Sequence, residues 1–185
     1  MASRARNRII LLALGVYALD QLTKWAVVRR LPIGAEAEVV PGFLKLVHWG
    51  NTGAAWSLFH GNNFALAAVS AVALVLIYLA RHHFEVHTRT GQVAIGLICG
   101  GIAGNLTDRL VHHHVVDFLR FYLIRRDGEE VGFPAFNVAD TAICVGVGLV
   151  LLLTWRGEPQ EKPGPQEAAA ATGTPLQTES ERPGG

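Results

Sequence analysis

The sequence predicts an all-α membrane protein: a four-transmembrane-helix bundle with a small extracytoplasmic β hairpin or sheet and an interfacial lid segment. Two observations predict it. Four apolar stretches, Ile9 to Val28, Asn63 to Leu79, Val93 to Leu110 and Phe136 to Trp155, are each of membrane-spanning length at about 1.5 Å of rise per helical residue. Consecutive spans must alternate direction, so the C-terminal ends of the first and third meet the N-terminal ends of the second and fourth. Nearly every polar residue embedded in the spans falls at those ends. Half of the 185 residues are hydrophobic, a length that allows one bundle but hardly two domains.

The first span follows Arg4, Arg6 and Arg8. It lacks an A-x-A-like end and carries Asp20 and Lys24 inside it, so it reads as a retained helix rather than a cleaved signal peptide. Asp20 and Lys24 stand i, i+4 with the acid first, the favoured helical order, and read as a structural polar pair closing the bundle. In the loop from 29 to 62, Val39-Val40, the turn pair Pro41-Gly42 and Phe43 to His48 read as a short hairpin, with Asn51 in the loop beyond it. The second span, Asn63 to Leu79, is almost purely apolar.

In the third span, Gly100 and Gly104 form a small-xxx-small pair that permits close helix contact. Asn105 and Arg109, four apart, share one helical face, where they either snorkel to the interface or line a polar pocket; the adjacent Asp108 must find different partners. The next segment places Asp117 in a loop, followed by Phe118, Phe121, Tyr122, Leu123 and Ile124 and a charged tip of Arg125, Arg126, Asp127-Gly128 and Glu129-Glu130. It suits a surface-lying lid or a second hairpin around Asp127-Gly128. Asn137 and Asp140 open the fourth span with capping-box-like spacing. Residues 157–185 turn to Pro, Gly, Glu, Ala and Thr and cannot bury a core, so the expected division is a four-helix integral membrane domain of 1–156 and a disordered cytoplasmic tail of 157–185.

Charges buried at a helix centre cost roughly 2.5 to 3.5 kcal/mol on insertion scales, so convergent intramembrane polar residues mark a site. Asp117 and Asp140, brought opposite each other at a water-accessible membrane edge, are a minimal kit for aspartic proteolysis, although spacing alone does not establish a dyad. The net charge of +1 argues against a nucleic-acid partner. Cys99 and Cys144 lie within apolar spans and read as packing thiols. His112, His113 and His114 lack metal-site spacing with a partnering Glu, and His83 and His87, though i, i+4, lie away from the polar cluster, so no metal is expected. A Ser/Lys protease would need Ser57 near Lys24, and a Gly-x-Ser-x-Gly site is absent from the sequence. Lys and Arg near the span ends number six on each side, a tie that the triple-arginine N-terminus breaks by placing both termini in the cytoplasm. The alternative reading from another class is a small four-helix membrane transporter, disfavoured because the charges gather at one end instead of lining a path.

The segments Asp20-Gln21-Leu22-Thr23-Lys24, Asn51-Thr52-Gly53-Ala54-Ala55-Trp56-Ser57, Gly100 to Arg109, Val115-Val116-Asp117-Phe118 and Phe136-Asn137-Val138-Ala139-Asp140 resemble the five ordered motifs of the lipoprotein signal peptidase family, signal peptidase II. The resemblance covers about residues 9 to 155. It implies a multi-pass enzyme of the bacterial inner membrane, an aspartic endopeptidase acting at the extracytoplasmic face among membrane lipids. Its substrates would be diacylglyceryl-modified prolipoproteins, cut just before the lipidated cysteine. It further implies Asp117 and Asp140 as the catalytic pair, substrate-binding roles for Asn51, Asn105, Arg109 and Asn137, and neither metal nor cofactor. Trp56 stands where phenylalanine is usual in the family, and the connection from Asp117 to Asp140 is a few residues longer.

Overall fold

A computed structural model describes residues 3–53, 62–80 and 88–156. Four helices, α1 (Ser3–Arg30), α2 (Asn63–Leu79), α3 (Arg89–Val111) and α4 (Val138–Arg156), are joined with four strands, β1 (Glu36–Val40), β2 (Leu44–Asn51), β3 (Val115–Ile124) and β4 (Glu130–Gly132). The α2 bounds match the apolar run. α1 reaches beyond its run at both ends, as does α3, because charged and polar flanks stay helical where backbone groups are already paired along the axis. α1 and α4 are long and apolar enough to cross a membrane by length and composition; α2 is an apolar helix of 17 residues. Large apolar side chains point outward from them, among them Leu11, Phe64, Val69, Leu151 and Trp155, a surface suited to lipid and not to water.

α3 is the central helix, packed against α1, α4 and α2. Glycine makes this possible. A Cβ on Gly100 would lie 2.6 Å from the Ala13 carbonyl oxygen of α1, and one on Gly101 would strike the carbonyl of Ala139 on α4 at 2.5 Å. Both distances are far inside van der Waals contact, so the two helix backbones approach α3 as closely as its missing side chains allow. The buried apolar core beside these glycines is correspondingly small-grained, with Ala94, Ala139 and Ala142 next to Ile95 and Ile98.

The strands form one antiparallel sheet in the order β1-β2-β3-β4. Gly42, at φ 75°, closes the first hairpin behind Pro41, and Gly128, at φ 83°, closes the second, each in a left-handed conformation that glycine adopts without a Cβ clash. One expectation is corrected here: Asn51 and Asp117 lie on strands β2 and β3, not in loops. Of the two alternatives for the segment after α3, a lid or a second hairpin, the structure has the hairpin, fused through β2–β3 pairing to the first. The cause is the β-branched and aromatic run from Val115 to Ile124, whose backbone groups find partners on β2 over a distance in sequence that local patterning does not reveal. A register shift between Leu46 and Trp49 then sets Trp49 opposite Asp117 and Asn51 opposite Val115.

Candidate active site

Asn137 precedes the first residue of α4 and caps it. Its Oδ1 accepts from the Asp140 N–H at 2.9 Å, while Asp140 Oδ2 accepts from the Asn137 N–H at 3.2 Å. This is the reciprocal box that the sequence spacing predicts. The cap does not exhaust Asn137, which is fully buried: its Nδ2 donates to Asp117 Oδ1 at 2.9 Å and to Asn105 Oδ1 at 3.2 Å. Through its side-chain amide and its backbone N–H together, this one residue links both carboxylates and the third helix.

Asp117 arrives from β3, its side chain 4 % exposed. Asn51, at the end of β2, donates from Nδ2 to Asp117 Oδ2 at 2.9 Å and turns its own Oδ1 to the Gly53 N–H. Burial and the neighbouring Asp140 push the Asp117 carboxyl up to about 7, against the two asparagine donors, which favour its ionised form. Asp140 accepts a second bond, from Asn105 Nδ2 at 2.7 Å. Each of the two carboxyl groups is thus held by an asparagine amide, Asn51 for Asp117 and Asn105 for Asp140, and both are bonded by Asn137.

Beneath the pair lies a charged network from α1 and α3. Lys24 Nζ bonds Asp20 Oδ2 at 2.8 Å, Asp108 Oδ2 at 2.9 Å and Asn105 Oδ1 at 2.9 Å, all within the interior. The expected Asp20–Lys24 pair is present, therefore, as part of a triad. Asp20 Oδ1 also accepts from the Ala139 N–H in the first turn of α4 at 2.9 Å, and the carboxylate packs against Gly104, where any side chain would displace it. Asp108 receives the Val116 N–H at 3.0 Å and so ties the foot of β3 to α3. An Asp20 side chain that satisfies an exposed N–H of another helix explains how a charge buried in α1 is kept.

Arg109 stands on the Asn105 face as expected, but its guanidinium reaches backbone, donating to the carbonyls of Asn105 at 3.4 Å and Gly53 at 3.3 Å. Its buried Nε has no partner among the described residues. Sequence reasoning gave no role to Gln21 or Asn63. Gln21 donates to Asp108 Oδ1 and to the Gly104 carbonyl, and Asn63 donates to the Arg109 carbonyl at 2.8 Å. Gln21 was legible in principle, being a polar residue next to the Asp20–Lys24 pair within an apolar span. Asn63 was not, since it reads equally well as a helix start. His112 to His114 make the turn between α3 and β3, with His113 at φ 63°. Trp56, Ser57, His83 and His87 lie outside the described residues.

Comparison with known proteins bears on the same region. A family model described as signal peptidase (SPase) II matches residues 12–156. The lipoprotein signal peptidase of Listeria monocytogenes serotype 4a (strain HCC23) is 39% identical over 142 residues, covering 77% of this chain and 89% of the relative. That of Symbiobacterium thermophilum is 40% identical over 144 residues, 77% of this chain and 91% of the relative. A bacterial membrane enzyme solved by the in meso method at 2.3 Å resolution superposes with a TM-score of 0.73 at 30% identity, over 84% of this chain and 92% of that one. A second, at 1.9 Å resolution, gives 0.69 at 31% identity, over 81% and 94%.

Proposed function

The chain belongs to the signal peptidase II family of membrane peptidases, and on that premise we propose that it cleaves the signal peptide from diacylglyceryl-modified prolipoproteins just before the lipidated cysteine, by aspartic catalysis at Asp117 and Asp140. The observation that carries the reading is that one residue, Asn137, bonds both carboxyls, its side-chain amide donating to Asp117 on β3 and its backbone N–H to Asp140 in the first turn of α4.

Their surroundings divide the labour. Asp117, pushed up to about 7, holds a proton over much of the neutral range. Asp140 has two donors aimed at it, the Asn105 amide and the Asn137 N–H, and serves as the ionised member of a pair that shares one proton. Asp140 takes a proton from water as its oxygen attacks the scissile carbonyl carbon, while Asp117 gives its proton to the carbonyl oxygen. As the tetrahedral intermediate collapses, the C–N bond breaks, the proton on Asp140 passes to the leaving cysteine nitrogen, and a hydroxyl proton returns to Asp117. Carboxylates and water supply every proton transfer, so the reading uses neither metal nor cofactor. Asn51, Asn105, Asn137 and Arg109 shape and polarise the pocket.

The same proposal takes all four helices as spans, both termini as cytoplasmic, and the sheet as extracytoplasmic on the bacterial inner membrane. The acyl chains then stay in lipid while the scissile bond reaches the interface. Residues 1–156 are the peptidase unit and 157–185 a cytoplasmic tail. The test is cleavage of a diacylglyceryl prolipoprotein by purified enzyme in lipid or detergent. Asp117→Asn and Asp140→Asn are each expected to lower kcat by about 10³-fold or more while inserting and folding normally. Substantial turnover by either folded variant sinks the dyad.

A further inference from the structure

We propose that Lys24, two side chains removed from the reacting atoms, is a positioning residue for the dyad: its ammonium holds the Asn105 amide in the one orientation that presents an N–H donor to Asp140. The inference rests on the proposed role of Asp140. It goes beyond closing the bundle, since a salt bridge with Asp20 alone would serve that purpose.

An ammonium has three donors and no acceptor, and an asparagine amide has a donor end and an acceptor end. Lys24 Nζ has three oxygen partners, from Asp20 at 2.8 Å and from Asp108 and Asn105 at 2.9 Å. Its donor capacity is filled and its third bond is to Asn105 Oδ1. That leaves Asn105 Nδ2 facing Asp140 Oδ1 at 2.7 Å, the shortest of the amide bonds to either carboxyl. The reversed amide would set its NH2 against the ammonium and against the donating Nδ2 of Asn137, which is 3.2 Å away, and its oxygen against the Asp140 carboxyl. All three contacts would then be repulsive. With Lys24 removed, the orientation is held only by the 3.2 Å bond from Asn137 and by the Asp140 carboxylate itself, so the reversed amide becomes accessible whenever Asp140 carries the proton it takes in the reaction. The charged and titratable groups around the ammonium are Asp20 on α1, Asp108 on α3, Asp117 on β3 and Asp140 on α4, with His112, just beyond α3, lining the same cavity as Lys24 and Asp108.

A single Lys24→Met change strands two buried carboxylates and risks misfolding. The informative variant is therefore Lys24→Met combined with Asp108→Asn, which keeps the formal charge of the Asp20–Lys24–Asp108 group and keeps an oxygen for the Val116 N–H. Its kcat is expected to fall by about 10- to 100-fold with KM within about twofold. The acid limb of the kcat–pH profile should move up by about one pH unit, because the dyad has lost a donor that favours its ionised partner. The position of that limb does not depend on the fraction of enzyme that is folded. Asp108→Asn alone, with Lys24 in place, is expected to keep the limb within a few tenths of wild type. A folded double variant whose limb coincides with wild type overturns the proposal. If the double variant does not fold, dipolar-coupling solid-state NMR on labelled wild-type enzyme decides, since the nitrogen of the Asn105 amide must lie nearer the Asp140 carboxyl than its carbonyl oxygen does. The opposite arrangement overturns it. Activity in Asp140→Asn is a separate outcome that removes the dyad itself and the positioning role with it.

Discussion

Asp117 is where burial has its clearest thermodynamic consequence. The carboxyl, nine-tenths or more hidden behind β3 and α4, is pushed up to about 7 by desolvation and by Asp140, against about 3.9 in an unfolded chain. Between those two values the folded protein keeps a proton that the unfolded chain has released. Stability must therefore fall as pH rises from about 4 to about 7, and the loss is complete above the folded value. Asp117→Asn removes this dependence, so relative to wild type its thermal stability in detergent is expected to improve by up to a few kcal/mol between about pH 4 and pH 8. Part of any absolute gain is offset because an asparagine at 117 can accept from only one of Asn51 and Asn137. A stability difference with no pH slope contradicts the buried, proton-holding Asp117. The same proton serves as the catalytic acid in the proposed mechanism, so wild-type kcat should decline above about pH 7 with a slope of one proton. A kcat that stays level to about pH 9 would remove Asp117 from that role.

At the scale of elements, the glycines of α3 decide how closely the site's supports converge. Gly100 meets the Ala13 carbonyl and Val16, and Gly96 meets Leu12, all on the α1 face that carries Asp20 and Lys24 farther along. Gly100→Ala must push α1 away, and is expected to cost about 1 to 3 kcal/mol and to lower activity by loosening the Lys24 contacts. Gly148→Ala, where a Cβ meets nothing within 4 Å, is expected to be neutral or slightly stabilising in the same helical context. Equal thermal shifts for the two variants would mean that close helix approach is not what Gly100 provides. The helices were legible because a run of apolar residues must find lipid or core whatever its neighbours do; hence Asn63 to Leu79 was bounded correctly at both ends. The box of Asn137 and Asp140 was legible for a similar reason, since capping is read within one turn. Asp117 was misplaced into a loop because strand pairing with β2 is a long-range choice, and the irregular register at Leu46 to Trp49 breaks the alternation that would have announced it. The partners of Asn105, and those of Lys24 beyond Asp20, were invisible for the same cause: face-sharing on one helix does not say which residue of another helix stands opposite.

For the whole molecule, the open matter is which way the bundle sits. Lys and Arg near the span ends are evenly divided in number between the two sides, yet the structure distributes them unevenly in kind. On the sheet side, Lys45 and Arg120 are bound in an ionic cluster with Glu36 and Glu130, and Arg125 pairs with Glu129. Charges already matched by acidic neighbours on a folded sheet present little net positive charge. The N-terminal Arg4, Arg6 and Arg8 lie on α1, whose first turn has no acidic residue, and none of them has an ion-pair partner among the described residues. These arginines should determine insertion, with the N-terminus held in the cytoplasm and the sheet outside. The prediction is that a single cysteine at Asp127, on the turn between β3 and β4, reacts with a membrane-impermeant maleimide in intact cells, after Cys99 and Cys144 have been replaced. A single cysteine at Ser3, the start of α1, should react only after the membrane is opened. Replacing Arg4, Arg6 and Arg8 together should weaken this preference and produce a mixed population, because what remains is a near-balance. Labelling of Ser3→Cys but not Asp127→Cys in intact cells would invert the topology and put the carboxyl pair on the cytoplasmic side, where a signal peptide already carried across the membrane could not reach it.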